Sequence, residues 1–108
     1  MQLGAEDDKL VVLARAAAAR VGAETGAAVR DGDGRSYASP PVRLPSLQLT
    51  ALQLAVAQAV AAGADSFEAA VIFGEDATDD VGIAAVSDVT PNAPVYLASL
   101  KGVTRVHD

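Results

Sequence analysis

The chain contains no cysteine and no tryptophan, a single histidine, and aromatic residues at 4% of its 108 positions. Without cysteine there is no disulfide, no thiolate ligand for zinc and no cysteine nucleophile. The sole imidazole, His107, sits one residue from the end. One such group cannot build a zinc site alone and reads as part of a solvated tail. Ser36, Ser39, Ser46, Ser66, Ser87 and Ser99 therefore lack a histidine in the body of the chain to serve as base, which excludes a serine–histidine relay. Basic residues are also scarce: 8 Lys and Arg stand against 14 Asp and Glu, for a formal charge of −6. They form no run, so no nucleic-acid partner is expected, because phosphate binding needs a clustered basic surface.

A glycine-rich phosphate loop is missing too. Gly32-Asp33-Gly34-Arg35 follows a short strand but opens into another strand rather than a helix. The first residues are acidic and the apolar run after them is broken by Arg15 and Arg20, so nothing reads as a secretory signal and cytoplasmic residence is the expectation. The length suits one domain, residues 1–108, able to bury a core without metals or cross-links.

What the chain does have is a stretch from Leu44 to Ala64 with no charged residue. Pro45 followed by Ser46 suggests a capped helix start, and Gly63 suits the left-handed residue beyond a helix end, which predicts a helix from Ser46 to Ala62. Leu47, Leu49, Leu52, Leu54, Val56 and Val60 point around much of that cylinder, so it should be buried on most sides. One side can face a sheet; covering the rest calls for a second subunit. The stretch approaches membrane-span length, but its Gln and Thr residues and many alanines favour a buried helix and no membrane partner.

The other elements follow in order. Asp7 or Asp8 can cap a first helix to about Val21, with Leu10, Leu13, Ala14, Ala17 and Val21 as its inner stripe. Residues 27–30 and 35–39 read as a hairpin around Asp31-Gly32-Asp33-Gly34, a run without the later ligands of a calcium loop. Pro40 and Pro41 then require a stiff extended crossing to the central helix. The apolar run at 67–74 predicts a central strand. The acidic loop Glu75 to Asp80 precedes a helix at 81–89 capped by Thr78 or Asp79, and strands follow at 95–98 and 103–106. Glu75, Asp76, Asp79 and Asp80 could in principle hold a hard cation, but carboxylates ahead of a helix are explained by its N-terminus. Strands joined through helices favour parallel neighbours, so the class is α/β: a mixed five-stranded sheet in three layers with helices on both faces.

The alanine-rich first helix, the hairpin segment GAAVRDGDGRSYAS, the central LQLTALQLAV, the strand EAAVIFGED and the segment PNAPVYLASLKG come in the order and spacing of the small homotetrameric cytidine deaminases, which the chain resembles over nearly its whole length. The resemblance implies a cytidine-deaminase-like fold and a homo-oligomer, dimer or tetramer, assembled through the Ser46 to Ala62 helix. In that family the central helix carries a zinc-binding Cys and, two residues later, a proton-shuttling Glu, and a second helix adds two Cys ligands. Here Thr50 falls at the first ligand position, Leu52 at the shuttle, and Asp79 and Gly82 at the paired ligands, give or take one residue. Zinc is expected for the family, but its ligands are absent, so neither metal nor catalytic residues are expected. The family's Asn and Glu readers of ribose are replaced by Ser39-Pro40-Pro41-Val42-Arg43. The expectation is a catalytically inactive oligomeric scaffold or partner-binding subunit. The alternative is an enzyme or a binder of a nucleoside or other small ligand that reuses the old cleft through Arg43, Thr50, Gln53 and Asp79. A third arrangement, with catalytic groups supplied by a partner chain, ranks last.

Overall fold

The computed structural model describes residues 1–75 and 80–107. Five strands form one sheet in the order β2-β1-β5-β6-β7: β1 (Gly26–Asp31), β2 (Ser36–Ser39), β5 (Phe67–Phe73), β6 (Val95–Ser99) and β7 (Gly102–His107). Only β5 and β6 run parallel, joined through α3 (Gly82–Val89); every other pairing in the sheet is antiparallel. The run at 67–73 takes the centre, as its apolar character requires, with Ala69, Ala70, Val71 and Ile72 all buried.

Alternation along the strands divides the core. Ala27, Val29, Ala70, Ile72 and Val95 face α2 (Ala51–Ala61) and α3, whereas Ala28, Ala69, Val71, Tyr96 and Ala98 face α1 (Ala5–Arg20). The three-layer mixed α/β architecture follows directly. Among the described residues no helix is long and apolar enough to cross a membrane.

Two expectations about the helices need correction. The central helix does not begin at Ser46: residues 42–49 form a separate hairpin, β3 (Val42–Leu44) and β4 (Leu47–Leu49), with Leu44 opposite Leu47 across Pro45 and Ser46. The pattern Val-Arg-Leu, two turn residues, Leu-Gln-Leu satisfies a hairpin's alternation better than a helix's period. It also replaces the extended crossing expected as far as Arg43. The helix starts behind Thr50, whose side chain accepts from Gln53 N while Gln53 Oε1 accepts from Thr50 N, a complete capping box. Its other end is as expected: Gly63 has φ +99°, and Ala64 N donates to Ala59 O.

In α1 the cap is Gly4 rather than Asp7 or Asp8, and Leu13 and Val21 are exposed while Ala18 is buried. Asp7 is engaged elsewhere. Arg30, on β1, donates to Asp7 Oδ1 at 2.8 Å, to Glu68 Oε1 at 2.7 Å and to the Glu6 carbonyl at 3.1 Å, fastening the helix to the sheet. The inner face of α1 is set by the close approach of Gly26 to the backbone of Ala14 and Ala18 rather than by its bulkiest residues.

The β1–β2 turn is organised by one buried carboxylate. Asp31 accepts from Asp33 N, Arg35 N and the Tyr37 hydroxyl at 2.9–3.0 Å. Burial alone would raise this acid, but the Arg35 amide, the Tyr37 hydroxyl and the Asp33 amide together hold it below the usual carboxylate range. The folded state thus retains the ionised form more tightly than the unfolded chain does. Its stabilisation is complete above the ordinary carboxylate value of about 4 and is lost as pH falls through the lowered folded value. Asp31→Asn should flatten that acid limb, as read by denaturant melts between about pH 3 and pH 7.

Candidate functional site

The N-termini of α2 and α3 meet where the sequence resemblance placed the chemistry. Thr50 Oγ1 donates to Asp80 Oδ1 at 2.7 Å, and the same oxygen accepts from Gly82 N at 2.7 Å. One carboxylate thereby bridges the cap of α2 and the first residue of α3. Val81, the residue ahead of α3, has no side-chain cap bond, so the Asp80 turn supplies the acceptor for that helix start. Thr78 and Asp79, expected as its caps, lie outside the described residues, as does Asp76.

Leu52 is fully buried and belongs to the α2 core with Val56, Ile72 and Val86. Gly82 lies against it. A Cβ added there would come within 2.7 Å of Leu52 Cβ, 2.8 Å of Gln53 N and 2.9 Å of Asp80 Oδ1. The position has no room for a side chain unless the helices part.

Beside this junction a cleft of about 330 Å³ is lined by Arg43, Gln48, Leu49, Thr50, Gln53 and Val81. Arg43 and Gln48 face each other across the β3–β4 ladder and supply one wall; the first turn of α2 supplies another. The Arg43 side chain makes no ion pair or hydrogen bond with any described residue. Of the four proposed ligand-contacting residues, Arg43, Thr50 and Gln53 share this cleft, and Asp79 is not described. Sequence reasoning missed Gln48, because it was assigned to the central helix, and did not foresee the contact of Asp80 with Thr50. The capping-box pattern of Thr50 and Gln53 was the available signal for the former. Nothing local could fix the register of the latter.

The donor set does not suit a zinc ion of the deaminase kind. Positions 50, 52 and 82 offer a hydroxyl, an isobutyl group and no side chain, and the whole chain has neither thiol nor any imidazole besides His107. The backbone of His107 pairs with Val95 at the start of β6, the end of the sheet away from the residues that lead into α3. Among the described residues no three His, Cys, Asp or Glu side chains gather as a metal site.

Comparison with known proteins agrees with the architecture. The cytidine deaminase from Burkholderia pseudomallei has a similar structure, with a TM-score of 0.74 at 24% identity over 92% of this chain and 91% of that one. The cytidine deaminase from Mycobacterium leprae gives 0.62 at 18% identity over 95% of each chain. At these identities the likeness is one of fold. No curated protein sequence matches the chain. The family described as "Cytidine deaminase-like" matches residues 3–102, nearly the whole length, and the chain therefore belongs to the cytidine deaminase-like family.

Proposed function

We propose that this protein is a non-catalytic member of its family, a deaminase fold retained as an oligomeric scaffold or partner-binding subunit. The observation that carries this reading is the junction of α2 and α3: among the described residues, Thr50 Oγ1, Asp80 Oδ1 and Gly82 N are bonded to one another there, with Leu52 packed beneath. Hydrolytic deamination needs a metal-activated water and a carboxylate that moves protons to the base. Leu52 can move none. A subunit role is supported by apolar groups left at the surface, Leu44 and Leu47 on the hairpin and Val60 on α2. The lack of charge from Leu44 to Ala64 suits burial of that region against another chain.

Metal analysis of untagged protein prepared without chelator, with its solution mass and a cytidine turnover assay, tests the proposal. The expected result is substoichiometric zinc, no release of ammonia from cytidine and a mass above that of one chain. Near one zinc per chain with turnover would sink it.

The cleft of Arg43, Gln48, Thr50 and Gln53 favours a second reading, in which a small ligand occupies the old site without being deaminated. At a hundred times its dissociation constant such a ligand adds about 2.7 kcal/mol of stability. A flat thermal-shift screen with nucleosides would count against it.

A further inference from the structure

We propose that the Thr50–Asp80–Gly82 contact is a metal-independent clasp, which fixes the N-termini of α2 and α3 to each other and sets the rim of the cleft between them. Thr50 is committed on both sides: its oxygen accepts from Gln53 N to cap α2, and its proton goes to Asp80. Asp80 Oδ1 accepts a second hydrogen bond from Gly82 N, so one oxygen atom serves both helix starts. The Thr50–Asp80 bond links residues 30 apart in sequence.

Two further facts make the contact more than a local turn. Gly82 can approach only because it has no side chain, with Leu52 and the Gln53 amide directly behind it. Thr50 and Val81, on either side of Asp80's bonds, both line the cleft. Asp80 is therefore a positioning residue: it holds the two walls in register through its bonds to Thr50 and the Gly82 amide. Two of the positions where the family resemblance would place metal ligands, Thr50 and Gly82, are joined instead through the Asp80 carboxylate.

The test has an arm that needs no variant. Wild-type protein melted as purified, with excess EDTA and with equimolar zinc should show midpoints within about 1 °C of one another, whereas bound metal would raise the midpoint with occupancy. A fall of several degrees on chelation overturns the proposal. In a second arm, Thr50→Val and Asp80→Ala should each melt about 5–10 °C lower, and the double variant should lose less than the sum of the two, because the Thr50–Asp80 bond is broken by either change while the Gln53 and Gly82 bonds are lost separately. Strictly additive losses would mean that the two side chains act separately, and would also overturn it. Thr50→Ser keeps the hydroxyl and should stay within about 2 °C of wild type; a loss matching that of Thr50→Val contradicts the clasp even if other variants fail to fold. Amide exchange gives the local readout: in Asp80→Ala the Gly82 amide should exchange faster by a larger factor than the Ile72 amide of the central strand. Equal acceleration of both would show global loosening only and defeat the assignment.

Discussion

Leu52→Glu should abolish cooperative folding rather than revive a reaction. The substitution restores the carboxylate that the family uses for proton transfer, but Leu52 is 0% exposed and packed against Ala and Val residues of the α2 core. Truncating a buried leucine costs about 2–5 kcal/mol, and an unpaired carboxylate in the same place adds several more. The total stability of a domain this size is about 5–15 kcal/mol. Far-UV circular dichroism during thermal melting is the measurement, with Leu52→Met as a volume-conserving control expected to lose less than about 1.5 kcal/mol. A native-like melt for Leu52→Glu would mean that water or a hidden partner reaches position 52. Adding Thr50→Cys should give no cytidine turnover, because Gly82 still offers no side chain across the junction.

The parts of the fold that were legible are those where neighbouring residues decide the outcome. The apolar run around Val71 favoured a covered strand, the two Asp-Gly pairs after Arg30 favoured a turn over a calcium loop, and Gly63 marked the end of α2. The start of α2 was misread because Pro45-Ser46 serves equally as a helix start or as a hairpin turn. What separates them is the alternation of Val42, Leu44, Leu47 and Leu49, together with the Thr50–Gln53 box four residues on. The buried face of α1 was not legible. Leu13 yields to Ala18 because of a glycine on a different element, and Arg30 meets Asp7 and Glu68 only after folding brings them together.

The candidate site divides in the same way. Thr50 and Gln53 stand in one local pattern, and Arg43 joins them through a hairpin that alternation alone could have revealed. The clasp through Asp80 crosses a loop whose register no periodicity fixes. The Asp79 alignment carried an uncertainty of one residue, and Asp79 lies outside the described residues; the carboxylate described against Thr50 is that of Asp80.

Gly26→Ala carries the second large effect, and it reports on the other layer of the molecule. Gly26 opens β1 opposite Phe73, beneath α1. A methyl group at this position would overlap the Ala14 carbonyl oxygen and lie 2.9 Å from Ala18 N. Both are main-chain atoms of a helix, so no rotamer change relieves the clash; α1 must lift from the sheet, with the Leu10 and Ala14 contacts strained in turn. Overpacking of this kind costs about 1–3 kcal/mol, and a backbone obstacle puts it at the upper end. For a domain of this size the melting midpoint should fall by roughly 12 °C or more. Ala14→Gly combined with Gly26→Ala should recover nothing, because the obstacle is Ala14's oxygen and not its methyl. Gly4→Ser, where nothing lies within 4 Å and a hydroxyl can improve the α1 cap, should be neutral or slightly stabilising in the same assay. Recovery in the Ala14→Gly background would place the obstacle in the side chains and mean that α1 sits farther from β1 than the Gly26 contact requires.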